Sequence, residues 1–336
     1  MKHVLAIDQG TSSSRAIVFD DAGNPVGEGS CPFDQIFPHD GWVEQDPEVI
    51  WSTTLKAARD AIASSPVEAA GIDAIGITNQ RETTLLWDAE SGQPVHSAIV
   101  WQDRRTAERC VQMQSDGMAT TISQITGLVI DPYFSSTKVE WLLRQPDTQR
   151  LARAGRLRFG TVDSFLVWRL TGGRTHATDA TNAARTQLFD ITRQDWSDIL
   201  LDYFEIPASL LPEVKDCVAD YGRSEAQWFG AEIPIVGIAG DQHAALIGQG
   251  CISSGMVKST YGTGCFVMAN TGTKRVDSTT GLLTTVGYRI NGRTTFAMEG
   301  SIFSAGVAVK WLRDKLGFIE NAAETGEIAK NADGNT

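Results

Sequence analysis

Three polar segments of this sequence each follow a short apolar run, and their side chains could bind phosphate or hydroxyl groups. The first, from Asp8 to Arg15, combines a carboxylate, a glycine, several hydroxyl groups and an arginine. Backbone N–H groups and hydroxyl donors next to a glycine can bind phosphate oxygens, and a nearby carboxylate can organise Mg²⁺. A polar β-turn is the alternative. The flanking Asp8 and Arg15 favour phosphate binding.

The second segment is Arg81-Glu82, which follows the polar residues 78–80 at the end of an apolar run. Glutamate can accept protons from the hydroxyl groups of a polyol, and arginine can donate to their oxygens. A solvated hairpin tip with an ordinary ion pair is the stronger interpretation when the segment is taken alone. Trp101 and Tyr133 likewise belong to a core more often than to a pocket, and they gain interest only together with Arg81-Glu82.

The third segment is Gly240-Asp241-Gln242, which follows the continuous apolar run 233–238. This places a carboxylate between the carboxyl end of a predicted strand and the start of a predicted helix, where α/β enzymes often assemble their active sites. Asp241 is therefore the best candidate for a general base. The competing interpretation is a helix N-cap, a position that aspartate commonly occupies. The two interpretations have about equal weight at this point.

Length, charge and hydrophobicity limit the classes of protein to which this chain can belong. The chain has 336 residues and a net charge of −12; at about 150 residues per domain, this length predicts two domains. Its thinly spread lysines and arginines argue against a nucleic-acid partner. No apolar run reaches the roughly 18 residues of a membrane-spanning helix, and no signal-peptide core is present, so we expect no membrane insertion and a cytoplasmic location.

Several common sites can be excluded. The five cysteines and five histidines are scattered, which fits neither a disulfide framework nor a zinc site, and any metal should be Mg²⁺ held by carboxylates and phosphate. Gly250 and Gly255 have P-loop spacing, but Met256 stands where lysine is required. Neither a dinucleotide-binding G-x-G-x-x-G after a strand nor the G-x-S-x-G of esterases occurs.

Apolar periodicity and turn residues predict a mixed α/β fold. A β-meander opens the chain, and a helix of about four turns begins at Pro47 behind a capping Asp46. Runs 72–78 and 83–87 are predicted to form a second hairpin. Further helices are predicted at 104–115, 135–144, 162–170, 196–204 and 243–248. Four strands separated by glycine-rich turns follow at 256–261, 266–270, 282–288 and 294–298. We place a domain boundary near residue 250, which divides the chain into 1–250 and 251–336.

Taken together, the polar segments resemble the FGGY family of carbohydrate kinases. The matching stretches are AIDQGTSSSR at 6–15, GWVEQDP at 41–47, NQRETT at 79–84, IVWQDRRT at 99–106, TGLVIDPYFS at 126–135, GDQ at 240–242 and YGTGCF at 261–266. They occur in order and span nearly the whole chain. The segments around Arg81, Trp101 and Tyr133 resemble those of the members that act on glycerol.

This resemblance implies the actin-like ATPase fold, with a complete first RNase-H-like domain, the beginning of a second, and ATP with Mg²⁺ between them. It also implies a role for each matching side chain, with Asp241 as the general base. Glycerol hydroxyl groups would be contacted by Arg81, Glu82, Tyr133, Asp241 and Gln242. The carbon edge of glycerol would pack against Trp101 and Phe266. The nucleotide phosphates would meet Thr11, Ser12, Ser13 and Arg15 on one side and Thr263 and Gly306 on the other. Asp8 would organise Mg²⁺ through water.

The resemblance also shows departures. It implies that the second domain of the family continues past Thr336 and that adenine and ribose contacts lie in that continuation. Lys310 replaces a glutamine near the nucleotide, where its charge could aid phosphate binding or cap a helix. The loop before Ile233 lacks the glycine-rich pattern of members inhibited by fructose 1,6-bisphosphate, so we expect no such regulation. A fragment that binds polyol but not nucleotide is the alternative function, another polyol or sugar is the least favoured substrate, and a homo-oligomer is an open expectation.

Overall fold

The computed structural model describes residues 2–262, 264–302 and 304–332. Its strands are β1 (Val4–Gln9), β2 (Ser13–Phe19), β3 (Pro25–Pro32), β4 (Glu44–Gln45), β5 (Ala74–Asn79), β6 (Leu85–Asp88), β7 (Ala98–Ile99), β8 (Leu157–Gly160), β9 (Ala177–Asp179), β10 (Phe189–Asp190), β11 (Asp195–Trp196), β12 (Glu213–Lys215), β13 (Ile235–Gly240), β14 (Val257–Tyr261), β15 (Cys265–Gly272), β16 (Leu283–Ile290) and β17 (Arg293–Ile302). Its α-helices are α1 (Pro47–Ser64), α2 (Ala107–Ser115), α3 (Met118–Thr126), α4 (Ser135–Leu143), α5 (Pro146–Arg153), α6 (Val162–Leu170), α7 (Ala180–Ala183), α8 (Asp198–Tyr203), α9 (Ala226–Phe229), α10 (Asp241–Gly248), α11 (Gly306–Asp314) and α12 (Glu324–Lys330). None of these helices is long and apolar enough to span a lipid bilayer.

The first sheet positions the polar segments. Its strand order is β13-β5-β1-β2-β3. The antiparallel β1, β2 and β3 form the predicted meander, whereas β5 runs parallel to both β1 and β13. Because parallel strands end at the same edge of a sheet, the segments that follow β1, β5 and β13 emerge side by side. These are the three polar segments found in the sequence.

The predicted hairpin of runs 72–78 and 83–87 is wrong. β5 lies between β1 and β13 in the first sheet, and β6 pairs instead with β8, far along the chain. The Arg81-Glu82 turn therefore leaves the sheet rather than reversing along it. Local apolar alternation identifies a strand but not its partner in the sheet.

Helix α1 covers the first sheet and has the predicted start. The side chain of Asp46 accepts a hydrogen bond from the backbone of Glu48, and Pro47 occupies the first turn. The apolar residues of the helix, among them Ile50 and Leu55, are buried against Leu5 and the rest of the sheet. Helix α8 starts later than predicted. Trp196 belongs to β11, and the side chain of Ser197 caps the helix.

Glycine lets α1 approach β3 closely. A Cβ atom at Gly29 would clash with the carbonyl oxygen of Ala57 and lie 2.8 Å from Cβ of Asp60. We therefore expect Gly29→Ala to lower the free energy of unfolding by about 1–3 kcal/mol, the usual cost of overpacking. Gly76→Ala is the matched control, because nothing lies within 4 Å of its added Cβ. Chemical denaturation of both variants measures the difference, and equal stabilities would contradict this account.

The second sheet has the antiparallel order β14-β15-β17-β16. Several buried contacts join it to the rest of the chain. Leu246 of α10 packs with Met268 and Ala297 of the sheet, and Leu283 packs with Tyr133. The inner face of this sheet consequently lies opposite the carboxyl edge of the first sheet.

Candidate active site

A cavity of about 210 Å³ lies where the three polar segments meet the second sheet. Its wall includes most of the side chains predicted to act on a substrate or on phosphate. The lining residues are Thr11, Ser12, Gln35, Arg81, Glu82, Trp101, Gln102, Tyr133, Asp241, Gln242, Thr260, Gly262, Gly264 and Phe266. The side chains that the resemblance assigns to glycerol thus line one hollow, together with Thr11 and Ser12 of the first polar segment.

The Arg81-Glu82 turn is buried, which excludes the interpretation as a solvated hairpin tip. Arg81 is 3% exposed and Glu82 is 1% exposed. Glu82 has a backbone φ of 60°, in the left-handed region where a residue with a side chain is strained by about 1–3 kcal/mol. Such strain persists only where the surrounding structure enforces it, and it is common at functional sites.

A buried charge network holds this turn. Arg81 donates to both carboxylate oxygens of Glu299, with Nη1–Oε2 at 2.6 Å and Nη2–Oε1 at 3.1 Å. Arg185 donates from Nε to Oε1 of Glu82 at 2.6 Å and from Nη2 to Oε1 of Glu299 at 3.2 Å. Two arginines are thus matched by two glutamates inside the protein. The network joins the second sheet, through Glu299, to the Arg81-Glu82 turn that follows β5 of the first sheet.

Burial and the neighbouring arginines shift the pKa values of these carboxyl groups in opposite directions. Burial by itself would raise the pKa of Glu299, but Arg185 and Arg81 lower that pKa below its usual range. For Glu82, burial dominates and the pKa is raised, although Arg185 and Arg81 oppose the change. Glu299 is therefore ionised at neutral pH and contributes a negative charge beside both guanidinium groups.

Aromatic rings form the apolar part of the wall. The ring of Trp101 lies edge-on to Tyr133 at 5.7 Å and to Phe266 at 6.2 Å between centroids. The indole N–H of Trp101 donates to the hydroxyl of Thr11 at 3.0 Å. These rings add hydrocarbon surface to a wall that also carries charged groups, and the Arg81 guanidinium lies 5.9 Å from the centre of the Phe266 ring.

Asp241 and Gln242 open helix α10. One Asp241 oxygen, Oδ1, forms an ion pair with Nε of Arg81 at 3.1 Å, and the Asp241 side chain is 37% exposed. Asp241 is the first residue of the helix and Gly240 is its N-cap, so Asp241 does not fill the predicted alternative role of N-cap. Gln242 is buried and accepts a hydrogen bond from Lys258 of β14. The accessible Asp241 carboxylate is thus held by Arg81 at the cavity.

The segment after β1 forms a tight turn beside this cavity. The Gly10 N–H donates to the Ser13 carbonyl at 2.9 Å. Thr11 and Ser12 line the cavity, whereas Ser13 begins β2. Arg15 lies opposite Asp8 in the β1–β2 pair and forms an ion pair with Glu28 at 2.7 Å.

Asp8 is exposed to solvent at the end of β1, although many protein atoms surround it. Burial and the neighbouring charge of Asp241 raise its pKa to about 6, while Arg15 acts in the opposite direction. Carboxylate oxygen is the donor that Mg²⁺ prefers. Among the described residues, no group of three or more histidine, cysteine, aspartate or glutamate side chains could hold a metal ion. Mg²⁺ at Asp8 would thus need ligands from water and phosphate.

The remaining predicted phosphate contacts come from the second half of the chain. The Gly306 N–H, at the start of α11, donates to the Gly262 carbonyl at 2.9 Å. Thr263 lies outside the described residues. Lys310 lies on an exposed part of α11 and does not line the cavity. The roles assigned to Thr263, Gly306 and Lys310 stay predictions.

Three buried charged residues at the site were missed in the sequence. They are Arg185, Lys258 and Glu299, which are all buried and contact predicted site residues. Glu299 carried a usable signal, because alternation along β17 puts it on the same face as the buried Ala297. A charge at an inward-facing strand position requires a buried partner. Arg185 and Lys258 carry no comparable signal in the sequence.

Comparison with known proteins shows which family this chain resembles in sequence. The model of the N-terminal domain of the FGGY family of carbohydrate kinases matches residues 3–248, and the model of its C-terminal domain matches residues 257–335. Glycerol kinase of Ectopseudomonas mendocina is 59% identical over 330 residues, which are 98% of this chain and 67% of that protein. Glycerol kinase 1 of Pseudomonas aeruginosa is 60% identical over 331 residues, with the same coverage. The chain thus spans about two thirds of the length of these relatives.

Solved structures agree with this result. The crystal structure of Plasmodium falciparum glycerol kinase with ADP superimposes with a TM-score of 0.91 at 35% identity, covering 99% of this chain and 67% of that one. A gluconate kinase from Lactobacillus acidophilus has a TM-score of 0.87 at 20% identity and covers 99% of this chain and 66% of that one, which supports the fold alone. The predicted actin-like ATPase fold is therefore confirmed, and the chain belongs to the FGGY family of carbohydrate kinases.

Proposed function

We propose that this chain catalyses the ATP-dependent phosphorylation of glycerol to sn-glycerol 3-phosphate. The observation that carries this proposal is a single small cavity lined both by three aromatic rings and by Arg81, Glu82, Asp241 and Gln242. Glycerol has a hydrocarbon edge and three hydroxyl groups, so a small pocket with an apolar wall and a few convergent polar groups suits it. The similarity to glycerol kinases at 59% and 60% identity supports the same substrate.

The proposed mechanism relies on alignment and charge. Arg81 and Gln242 would hold glycerol oxygens, and the Glu82 carboxylate would accept a hydroxyl hydrogen while Arg185 keeps it in place. Trp101 and Phe266 would fix the carbon edge. Asp241 would accept the proton of the attacking hydroxyl. Because the transferring phosphoryl group is loosely bonded in the transition state, positioning and electrostatic stabilisation supply most of the catalysis.

The phosphate side of the site fits a nucleotide with Mg²⁺. Thr11, Ser12, Ser13 and Arg15 on one side and Thr263 and Gly306 on the other would donate to phosphate oxygens, with Lys310 as a further positive charge. Asp8 would hold the ion, whose charge would neutralise the phosphates of ATP when it is bound. In this proposal, residues 1–250 carry the glycerol site and the first phosphate loop, and residues 251–336 carry the second loop. A cytoplasmic location and self-association belong to the same proposal.

The direct test is a coupled assay for glycerol 3-phosphate with the purified chain, ATP and Mg²⁺. We expect turnover with glycerol and little with erythritol, xylulose or gluconate, because the cavity is small. Calorimetry with ATP and Mg²⁺ tests the alternative of a polyol-binding fragment without nucleotide affinity. Measurable nucleotide binding contradicts that alternative, whereas glycerol binding without nucleotide binding or turnover would contradict the proposed kinase activity.

Nucleotide binding should depend on pH through Asp8. Its raised pKa of about 6 means that the carboxylate is ionised at pH 7 and becomes protonated as the pH falls toward 5. We therefore expect ATP·Mg²⁺ to bind more weakly at pH 5 than at pH 7, as followed by calorimetry. Asp8→Asn should bind weakly at both pH values. Asp21→Asn, in the exposed turn after β2, is the control and should behave as the unchanged chain. The same pH response in Asp8→Asn would exclude Asp8 as its source.

A further inference from the structure

Lys258 is a buried lysine that the proposed mechanism does not use. It lies on β14, in the second sheet, and is 4% exposed. Its Nζ donates to Oε1 of Gln242 and, at 2.9 Å, to Oγ1 of Thr260. Both acceptors line the cavity. The lysine is therefore buried next to the cavity and donates hydrogen bonds to two side chains that line it.

The chemistry of an ammonium group determines which way these neighbours point. A charged lysine has three donors and no acceptor, whereas a glutamine amide has one accepting oxygen and a donating NH₂ group. The bond to Lys258 thus requires the oxygen of Gln242 to face the lysine. It leaves the NH₂ group as the part of the amide available to another partner. For the same reason the Thr260 oxygen accepts from Lys258, and the Thr260 hydrogen is left to be donated elsewhere.

The charges around Lys258 keep this arrangement in place. Burial and the neighbouring Arg81 lower its pKa to about 8, while Glu299 and Asp241 act in the opposite direction. The lysine therefore remains mainly protonated at pH 7. His243, the histidine on α10 beside this cluster, is buried, and burial together with Arg81 lowers its pKa well below the usual value, so it adds no second positive charge.

We infer that Lys258 is a positioning residue that fixes the Gln242 amide, so that Gln242 donates a hydrogen bond to an oxygen of glycerol. This inference rests on the proposed function. Each hydroxyl group of glycerol can both donate and accept. Glu82 and Asp241 supply acceptors, so a donating Gln242 divides the polar wall into an accepting part and a donating part. Such a division selects one orientation of a triol in the cavity.

A double-mutant cycle on glycerol affinity tests this inference. Calorimetry should show that Lys258→Met weakens glycerol binding about tenfold, as expected for a hydrogen bond that loses its orientation. Gln242→Ala should weaken binding to a similar degree. The double variant should bind no more weakly than Gln242→Ala, because Lys258 acts through Gln242. Equal affinity of Lys258→Met and the unchanged chain, or additive losses in the double variant, would overturn the inference.

A second variant tests the same inference without requiring that Lys258→Met folds correctly. Gln242→Glu keeps an acceptor for Lys258 but has no N–H group to donate. We expect it to melt at or above the temperature of the unchanged chain and to lose glycerol affinity as Gln242→Ala does. Undiminished affinity in Gln242→Glu would show that Gln242 accepts rather than donates, and would refute the inference alone. If the unchanged chain binds no glycerol, the proposed function fails and the inference fails with it.

Discussion

Asp241→Asn should lower the turnover of glycerol about 10²- to 10⁴-fold, the usual contribution of a general base. Asparagine has the same shape as aspartate and keeps an oxygen beside Arg81, whose Nε lies 3.1 Å from Oδ1 of Asp241. The amide cannot take a proton from the attacking hydroxyl. We therefore expect a large fall in kcat with a much smaller change in glycerol affinity, as measured by the coupled assay and by calorimetry.

The control for this substitution is the same change at an exposed site. Asp60 lies on α1, with its side chain 45% exposed, and forms an ion pair with Lys56. Asp60→Asn should leave turnover unchanged. Thermal melting of both variants must remain cooperative for the comparison to hold. If Asp241→Asn turns over glycerol as fast as the unchanged chain, another group accepts the proton and Asp241 only contacts the substrate.

Glu299→Gln should lower the free energy of unfolding by about 3–5 kcal/mol, because it leaves two buried arginines with one fewer negative charge. The Glu299 side chain is inaccessible to solvent, as is that of Arg185. Breaking such a pair on one side leaves an uncompensated buried charge, which costs far more than the loss of an exposed pair. Urea denaturation measures the difference. We also expect weaker glycerol binding, because Glu299 holds Arg81.

The matched control is Glu327→Gln on α12, where an ion pair with Lys330 at 2.8 Å has both side chains 72% exposed. Its loss should cost no more than about 1 kcal/mol. The contribution of Glu299 should also depend on pH. Its folded pKa lies below the ordinary 4.5, so this contribution is present above that pH and is lost as the pH falls below it. Equal stabilities of Glu299→Gln and Glu327→Gln would show that Arg81 and Arg185 are compensated without Glu299.

The sequence predicted much of the site because its key side chains follow strands directly. Asp8, Arg81 and Asp241 each come at the end of an apolar run, and parallel strands bring such ends to one edge. The resemblance in seven ordered segments added the family, which the comparisons confirm. The partner of β5 was predicted wrongly, since strand propensity is local and strand pairing is not.

The sequence by itself determined which groups could bind phosphate and polyol, because the types and order of residues in each short segment carry that chemistry. Only the tertiary structure decided how those groups are held. Arg81 and Glu299 are 218 residues apart in the chain and yet form a bidentate ion pair, and Lys258 reaches Gln242 from the other sheet. Buried charges are stable only beside opposite charges, and the folding of two sheets against each other brings these partners together.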